Sequence, residues 1–386
     1  MRPSSAGRTA GSGQQASSRF SEGLERVRSS TALRHARDCA EARDEETRMK
    51  RICTAALLAL VSLLSHEPAH AGAPQVRTQA PGFYRIMLGR VEITALLDGT
   101  HPFPVHDVMT RNETTAGGDR KAIKLAEGHP GKADALLAAW DLAAPVEGSI
   151  NAFLVNTGDR LILIDSGAGS LYGSCCGHLL GNLRASGYEP EQIDEIYLTH
   201  LHADHVGGIA PQGKPVFPNA TIRVNQKDLD YWLDAKNESE APKFLKPMFE
   251  GDRASLKPYG DSGRLKPFSE GQELSPGIRA IPTPGHTPGH TSYEVSSEGK
   301  TLLVWGDLVH VAPIQFPDPA VTVTYDSNPL AAEAERTAIF AQAARTSTWI
   351  AAAHIAFPGI GHIRSVDGRF EWLPANYTTV LKPTND

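Results

Sequence analysis

Thr199-His200-Leu201-His202-Ala203-Asp204-His205 puts three imidazoles and a carboxylate within six residues. Before it, Asp194-Glu195-Ile196-Tyr197-Leu198 reads as a short strand. On an extended backbone residues i and i+2 share a face, so His200 and His202 can grip one ion together. Gly207-Gly208 then forces a turn that can swing Asp204 and His205 towards a second ion. Histidine nitrogen and aspartate oxygen suit zinc and its first-row neighbours. A solvated polar turn is the plain alternative, and four ligand-type residues at this spacing after a strand argue against it.

The chain has 386 residues. Residues 1–48 are rich in Arg, Ser, Gly and Ala, without apolar periodicity, and read as an over-extended reading frame or a disordered extension. Met49-Lys50-Arg51, the apolar run Ile52 to Leu64 and Ala69-His70-Ala71 before Gly72 read as a signal peptide over 49–71. The run is too short to span a bilayer. The expected product is an exported single domain, 72–386, periplasmic or extracellular, with no membrane attachment after signal removal. Removing 1–71 takes away 11 of 38 basic and 8 of 44 acidic residues, leaving 27 against 36 and a net charge of −9. Such an acidic domain without a basic run is a poor nucleic-acid binder. Cys175 and Cys176 remain, and sequence neighbours rarely bridge each other, so no disulfide framework is expected.

Along this domain, 82–98 alternates as a hairpin about Gly89-Arg90. Residues 99–131 read as a long loop and Lys132 to Leu142 as a short helix. Strands are expected at Ile150–Val155 and Arg160–Ile164, and a helix at Leu179–Ser186 closed by Gly187. Thr221–Val224 reads as a strand and Gln226–Ala235 as a helix. The charged, Pro-rich stretch 236–275 reads as an inserted cap outside the sheet. Strands follow at Ile278–Ile281, Thr291–Val295 and Thr301–Trp305. Asn328-Pro329 starts a helix to about Arg345, and Thr348–Ala353 is a last apolar strand. Strands in two batches with helices between them point to two facing sheets with helices outside, and a site where strand ends meet.

Three more segments offer ligands: Pro284-Gly285-His286-Thr287-Pro288-Gly289-His290, Trp305-Gly306-Asp307 and Ala353-His354. Each alone is weak. Together with the first motif they complete a ligand count, and the whole resembles the metallo-β-lactamase superfamily. The stretches 73–78, 80–82, 93–100 and 357–364 are similar to the methyl parathion hydrolase-like branch. The resemblance implies an α+β fold, the αβ/βα sandwich of two facing mixed sheets with outer helices. It implies His200, His202 and His286 on one divalent ion, Asp204, His205 and His354 on a second, and Asp307 between them. Zinc is the expected metal, with manganese, cobalt or iron as substitutes. Asp204 and Asp307 are the catalytic carboxylates of this scheme. Two ions about 3.5–4 Å apart ionise a shared water for attack on a carbonyl or phosphoryl centre.

Asp165 resembles a supporting carboxylate that orients the histidine loop. His290 reads as a supporting or turn contact, as does His362 in a Gly-rich loop beyond the last strand, and His310 as structural. Tyr172, Trp232, Met248 and Phe249 fall in segments that wall the apolar pocket of similar phosphotriester hydrolases. Phenylalanine is expected where Tyr172 and Met248 stand, which weakens the case for aryl phosphotriesters. The expected function is a dinuclear metal-dependent hydrolase of esters, lactones or phosphotriesters, acting on a small molecule through a metal-bridging hydroxide. The similar hydrolases suggest a homodimer. The alternatives are a β-lactamase, a glyoxalase II-like thioester hydrolase and, from another class, a mononuclear iron dioxygenase. The bridging Asp307, the short C-terminal region after His354 and the complete second ligand set argue against these in turn.

Overall fold

The computed structural model describes residues 43–45, 47–58, 73–269 and 271–381. Residues 47–58 are helical, within an N-terminal unit that ends at Arg77. The rest of the anticipated signal segment, 59–71, and nearly all of 1–48 lie outside the described residues.

From Thr78 onward the chain builds the αβ/βα sandwich. The first sheet has six strands in the order Phe83–Leu88, Val91–Phe103, Val146–Asn156, Leu161–Ile164, Glu195–Tyr197, Thr221–Arg223. Its first four strands pair antiparallel and its last three parallel. The second sheet has seven, in the order Arg369–Pro374, Ile360–Val366, Trp349–Ala351, Lys300–Val304, Thr291–Ser297, Ile278–Pro282, Glu273–Ser275. Its pairing is antiparallel except between Lys300–Val304 and Trp349–Ala351.

Strand alternation explains the layering. Phe153, Val155, Ile162 and Ile164 point inward and meet Tyr293, Val295, Leu302 and Val304 of the other sheet. Their neighbours Leu154, Leu161 and Leu163 point outward onto Leu179 and Leu183 of the helix Leu179–Ala185. Phe340 and Ala343 of the helix Pro329–Thr346 cover the outer side of the second sheet with Trp305 and Ile350. That helix starts as the sequence predicts, with Asn328 Oδ1 accepting from Ala331 N at 3.1 Å.

Three expectations need correction. Residues 99–131 are not a long loop. The second hairpin strand continues to Phe103, and Met109–Thr114 and Arg120–Lys124 form a third sheet with Val321–Val323. These strands are polar, so their pattern is weak. Distant partners hold them: Thr110 Oγ1 lies 2.8 Å from Thr322 Oγ1, and Arg111 Nε donates to Asp318 at 2.8 Å. The stretch 236–275 contains the helix Lys246–Asp261. Its buried stripe Phe249, Asp252, Leu256, Tyr259 has helical spacing, but Asp252 breaks its apolar character and Gly251, Pro258 and Gly260 lower its propensity. Nor is this stretch wholly outside the sheet, because Leu265 and Phe268 bridge to Ile222 and Asn225 at the sheet edge. Finally, His362 lies in the strand Ile360–Val366 instead of a loop, with its ring centroid 3.9 Å from that of Trp349.

Candidate metal centre

Four strand ends deliver the ligand-type side chains to one edge of the sandwich. The chain leaves Glu195–Tyr197, bends at Thr199 and is extended at His202 (φ −111°, ψ 152°). A single helical turn, Ala203–Val206, then presents Asp204 and His205. His286 sits in the turn between Ile278–Pro282 and Thr291–Ser297. Asp307 follows Lys300–Val304, and His354 follows Trp349–Ala351. The two sheets are tied together here: Tyr293 Oη donates to Leu198 O at 2.6 Å, and Thr291 N to Thr199 O at 2.8 Å.

The side chains converge in two overlapping sets. His200 Nε2 lies 3.0 Å, and His286 Nε2 2.9 Å, from His202 Nδ1. Asp307 Oδ2 is 3.2 Å from His286 Nε2 and 3.7 Å from His200 Nε2. In the other set, Asp204 Oδ2 lies 3.6 Å from His205 Nε2 and 3.4 Å from His354 Nε2. Asp307 reaches this set too, with Oδ1 3.1 Å from His205 Nε2 and Oδ2 3.2 Å from His354 Nε2. Within each set the donor atoms lie within 4.8 Å of one another.

This arrangement fits divalent cations better than it fits hydrogen bonding. His205 Nε2 and Asp307 Oδ1 are buried and 3.1 Å apart, yet neither has a hydrogen-bond partner. The three ring nitrogens His200 Nε2, His202 Nδ1 and His286 Nε2 cannot all be satisfied by protons. Buried polar atoms without partners are costly, and a cation between them removes that cost. Burial opposes charge on His200 and His202 and pushes their pKa values well below the usual imidazole range, which leaves neutral lone pairs. Burial opposes charge on His205 as well, but Asp307, Asp204 and Asp165 outweigh it and push that group well up. The carboxylates therefore favour positive charge at this point, whether proton or metal.

The far sides of the rings are anchored, as metal-binding imidazoles usually are. His205 Nδ1 donates to Asp165 Oδ2 at 2.9 Å, and His286 Nδ1 to Asp326 Oδ1 at 2.6 Å. His354 Nδ1 donates to Ser149 O at 2.9 Å. His200 Nδ1 lies 3.0 Å from Thr199 Oγ1, which donates to Asp165 Oδ2 at 2.8 Å. His202 Nε2 has no partner. His290 stands outside both sets: its Nε2 accepts from Asp307 N at 3.0 Å, and its Nδ1 lies 3.0 Å from Thr283 O.

Of the expected substrate contacts, Tyr172 and Met248 line the cavity over the cluster, together with His101, Phe103, Val108 and Tyr325. Tyr172 Oη donates to Asp204 Oδ1 at 3.1 Å. Trp232 and Phe249 are buried behind His202 and are not brought into that lining; their rings are 4.5 Å apart, and Trp232 lies 5.0 Å from His202. His310, read as structural, lines the cavity with Nε2 3.1 Å from Asp307 Oδ2. Its place three residues after Asp307 was the available signal. Asp326, Asn151 and Asp228 carried none. Asn151 Nδ2 donates to Ala352 O and Ile355 O around His354. Asp228 accepts from Leu201 N at 2.8 Å and Gly289 N at 2.6 Å, joining the two histidine loops.

Comparison with known proteins agrees with this geometry. The model of the metallo-beta-lactamase superfamily matches residues 145–354. The solved structure of hydrolase AbOPH in the beta lactamase superfamily is 40% identical, with TM-score 0.70, covering 78% of this chain and all of that one. AidC, a dizinc quorum-quenching lactonase solved with the product N-hexnoyl-L-homoserine, is 28% identical with TM-score 0.65 over 77% of this chain and 99% of that one. An N-acyl homoserine lactonase of a Bacillus species is 31% identical over 126 residues, 31% of this chain and 41% of the relative. The uncharacterized protein YobT of Bacillus subtilis (strain 168) is 28% identical over 171 residues, 44% of this chain and 66% of the relative. The chain thus spans between about two fifths and two thirds of the length of these curated relatives.

Proposed function

The chain belongs to the metallo-β-lactamase superfamily, and from that membership we propose a dinuclear hydrolase of lactones, carboxylic esters or phosphotriesters. The coarser reading, a metal-dependent hydrolase, rests on the family and on the His/Asp cluster. The dinuclear reading is carried by one observation: Asp307 lies within 3.2 Å of ring nitrogens in both sets, through Oδ1 to His205 and through Oδ2 to His286. A pair of divalent cations held there would supply an ionised water and polarise the oxygen under attack.

The chain's own residues prepare the rest. Tyr172 holds Oδ1 of Asp204, so Oδ2 stays turned towards His205 and His354. Burial pushes the Tyr325 phenol well above its ordinary pKa, so it remains a neutral donor in the cavity wall, suited to an oxyanion. Phe103, Val108 and Met248 give that wall an apolar side that keeps bulk water away. Dizinc lactonase chemistry in AidC and the lactonase relatives favour esters and lactones over amides.

The test is a substrate panel on metal-stripped protein reloaded with zinc, manganese or cobalt. A lactone, an aryl ester, a phosphotriester and a penicillin-type amide are compared, with metal content measured on the same sample. Two ions per chain with turnover of a lactone or ester is expected. Full activity at one ion per chain would sink the dinuclear reading, and turnover of the amide alone would sink the substrate assignment. We further propose that 49–71 directs export; intact mass of secreted protein beginning at Gly72 checks this, and a secreted form retaining residue 60 contradicts it.

A further inference from the structure

We propose that an apolar cavity beside the metal centre is the subsite for an unbranched acyl or alkyl tail, which makes medium-chain esters and lactones the substrate class. This rests on the hydrolase reading above. The cavity over Asp204 and Asp307 measures about 140 Å³. Small-molecule sites usually run to roughly 300–1,000 Å³, so this one has room for a scissile group and little more. A second cavity of about 340 Å³ shares Phe103, His310 and His354 with it. The two cavities therefore adjoin at these side chains, and the tail of a molecule reacting beside Asp307 would pass them to enter the second space.

The chemistry of the second cavity is that of a hydrocarbon site. Trp140, Leu142, Val311, Ile355, Phe357 and Trp372 line it, and Glu147 is the only carboxylate among the described lining residues. A polar tail would lose its water there without finding partners. Trp140 is 47% and Leu142 41% exposed, although Leu137, just before them, is fully buried. Exposed large apolar side chains at the rim of an apolar hollow are a mark of a binding surface. His310 stands at this junction: its Nε2 faces Asp307 at 3.1 Å, while its ring stacks on His354 with centroids 5.4 Å apart and packs 5.9 Å from Phe103.

The experiment uses the zinc-loaded full chain and p-nitrophenyl esters from acetyl to decanoyl, with a matching series of alkyl-substituted γ-lactones. Each methylene buried in the subsite should raise kcat/KM about fourfold, until the cavity is filled and the curve flattens. Ala356 stands at the exposed edge of the lining. Ala356→Phe should lower the octanoyl-to-acetyl ratio of kcat/KM at least tenfold, and Trp140→Ala, which removes rim surface, should lower it about threefold or more. Sodium decanoate titrated into the same proteins gives a readout independent of turnover. It should change tryptophan fluorescence, and Ala356→Phe should weaken its Kd at least tenfold. A flat chain-length profile with the acetyl ester still turned over would overturn the subsite while leaving the hydrolase reading in place, also where this face proves to be covered by a second copy of the chain. So would unchanged ratios in both variants. If no ester or lactone, acetyl included, is turned over, the hydrolase reading itself falls and takes the substrate class with it.

Discussion

Replacing Asp165 by Asn changes one atom and reverses two hydrogen bonds. The carboxylate is buried and accepts three times: Oδ1 from Thr199 N at 2.8 Å, Oδ2 from Thr199 Oγ1 at 2.8 Å and from His205 Nδ1 at 2.9 Å. An amide can keep the bond from Thr199 N through its oxygen. Its NH₂ group then faces two donors. The Thr199 hydroxyl can rotate to accept, but His205 can accept only if its proton moves from Nδ1 to Nε2. Nε2 is the atom that faces Asp204 and Asp307, and once protonated it has no lone pair for a cation. Loss of a carboxylate behind a metal-binding imidazole typically costs 10–100-fold in metal affinity, which corresponds to about 1.4–2.7 kcal/mol. The expected loss falls on the set of Asp204, His205 and His354, while the set of His200, His202 and His286 is weakened less, through the single relay from His200 by Thr199. Competition against a chromophoric chelator, with metal content measured after gel filtration, reads both affinities. Asp165→Asn should show one affinity lowered at least tenfold and the other changed by less than about threefold. Two affinities equal to the wild type would refute the claim that this carboxylate sets the His205 tautomer, and equal loss at both would refute its assignment to one set.

Three further outcomes follow from the same contacts. Asp307→Ala should lower kcat/KM by at least a thousandfold and metal content to one ion per chain or below, since the carboxylate faces both sets; steady-state turnover near the wild type would remove it from the site. Gly306→Ala should destabilise the fold by about 2 kcal/mol or more, because φ is +57° and a Cβ would lie 2.6 Å from His290 Nε2 and 2.9 Å from Thr199 Cβ; an unchanged urea midpoint would contradict this. Burial alone would raise the Asp318 carboxyl, but hydrogen bonds from Arg111 and Lys132 outweigh it and hold its pKa below the usual value. Its contribution is therefore present above the unfolded pKa, near 4, and is lost as pH falls through the lower folded value. The stability gap between wild type and Asp318→Asn should be open at pH 7 and close as pH falls below the unfolded carboxylate value in urea titrations; a gap that does not change with pH would count against the network.

The candidate ligands were readable because each follows a strand, and a strand end followed by His or Asp is a local pattern. His200, His202, His286, Asp307 and His354 all satisfy it. The sandwich was readable for a similar reason: Phe153, Leu154 and Val155 alternate between two covered faces, so the run is apolar throughout. The third sheet was not, since Thr110 and Arg111 gain their stability from Thr322 and Asp318, more than two hundred residues away. The same logic separates the ligands from their supports. Asp165 could be singled out because it ends a strand beside the histidine loop, whereas Asp326 reaches His286 only after the chain has returned from the third sheet. Ser149 acts on His354 through a backbone carbonyl, which any residue type supplies, and no reading of side chains can detect it. Trp232 and Phe249 show the converse: the resemblance put their segments at the pocket wall, but their helices turn both rings against each other beneath His202. Tyr172 and Met248 reach the cavity instead. Residue type alone therefore locates atoms that must touch a cation, because few types can do so, and fails for the walls, because many types can form an apolar surface and only the packing of distant segments decides which of them face the ligand.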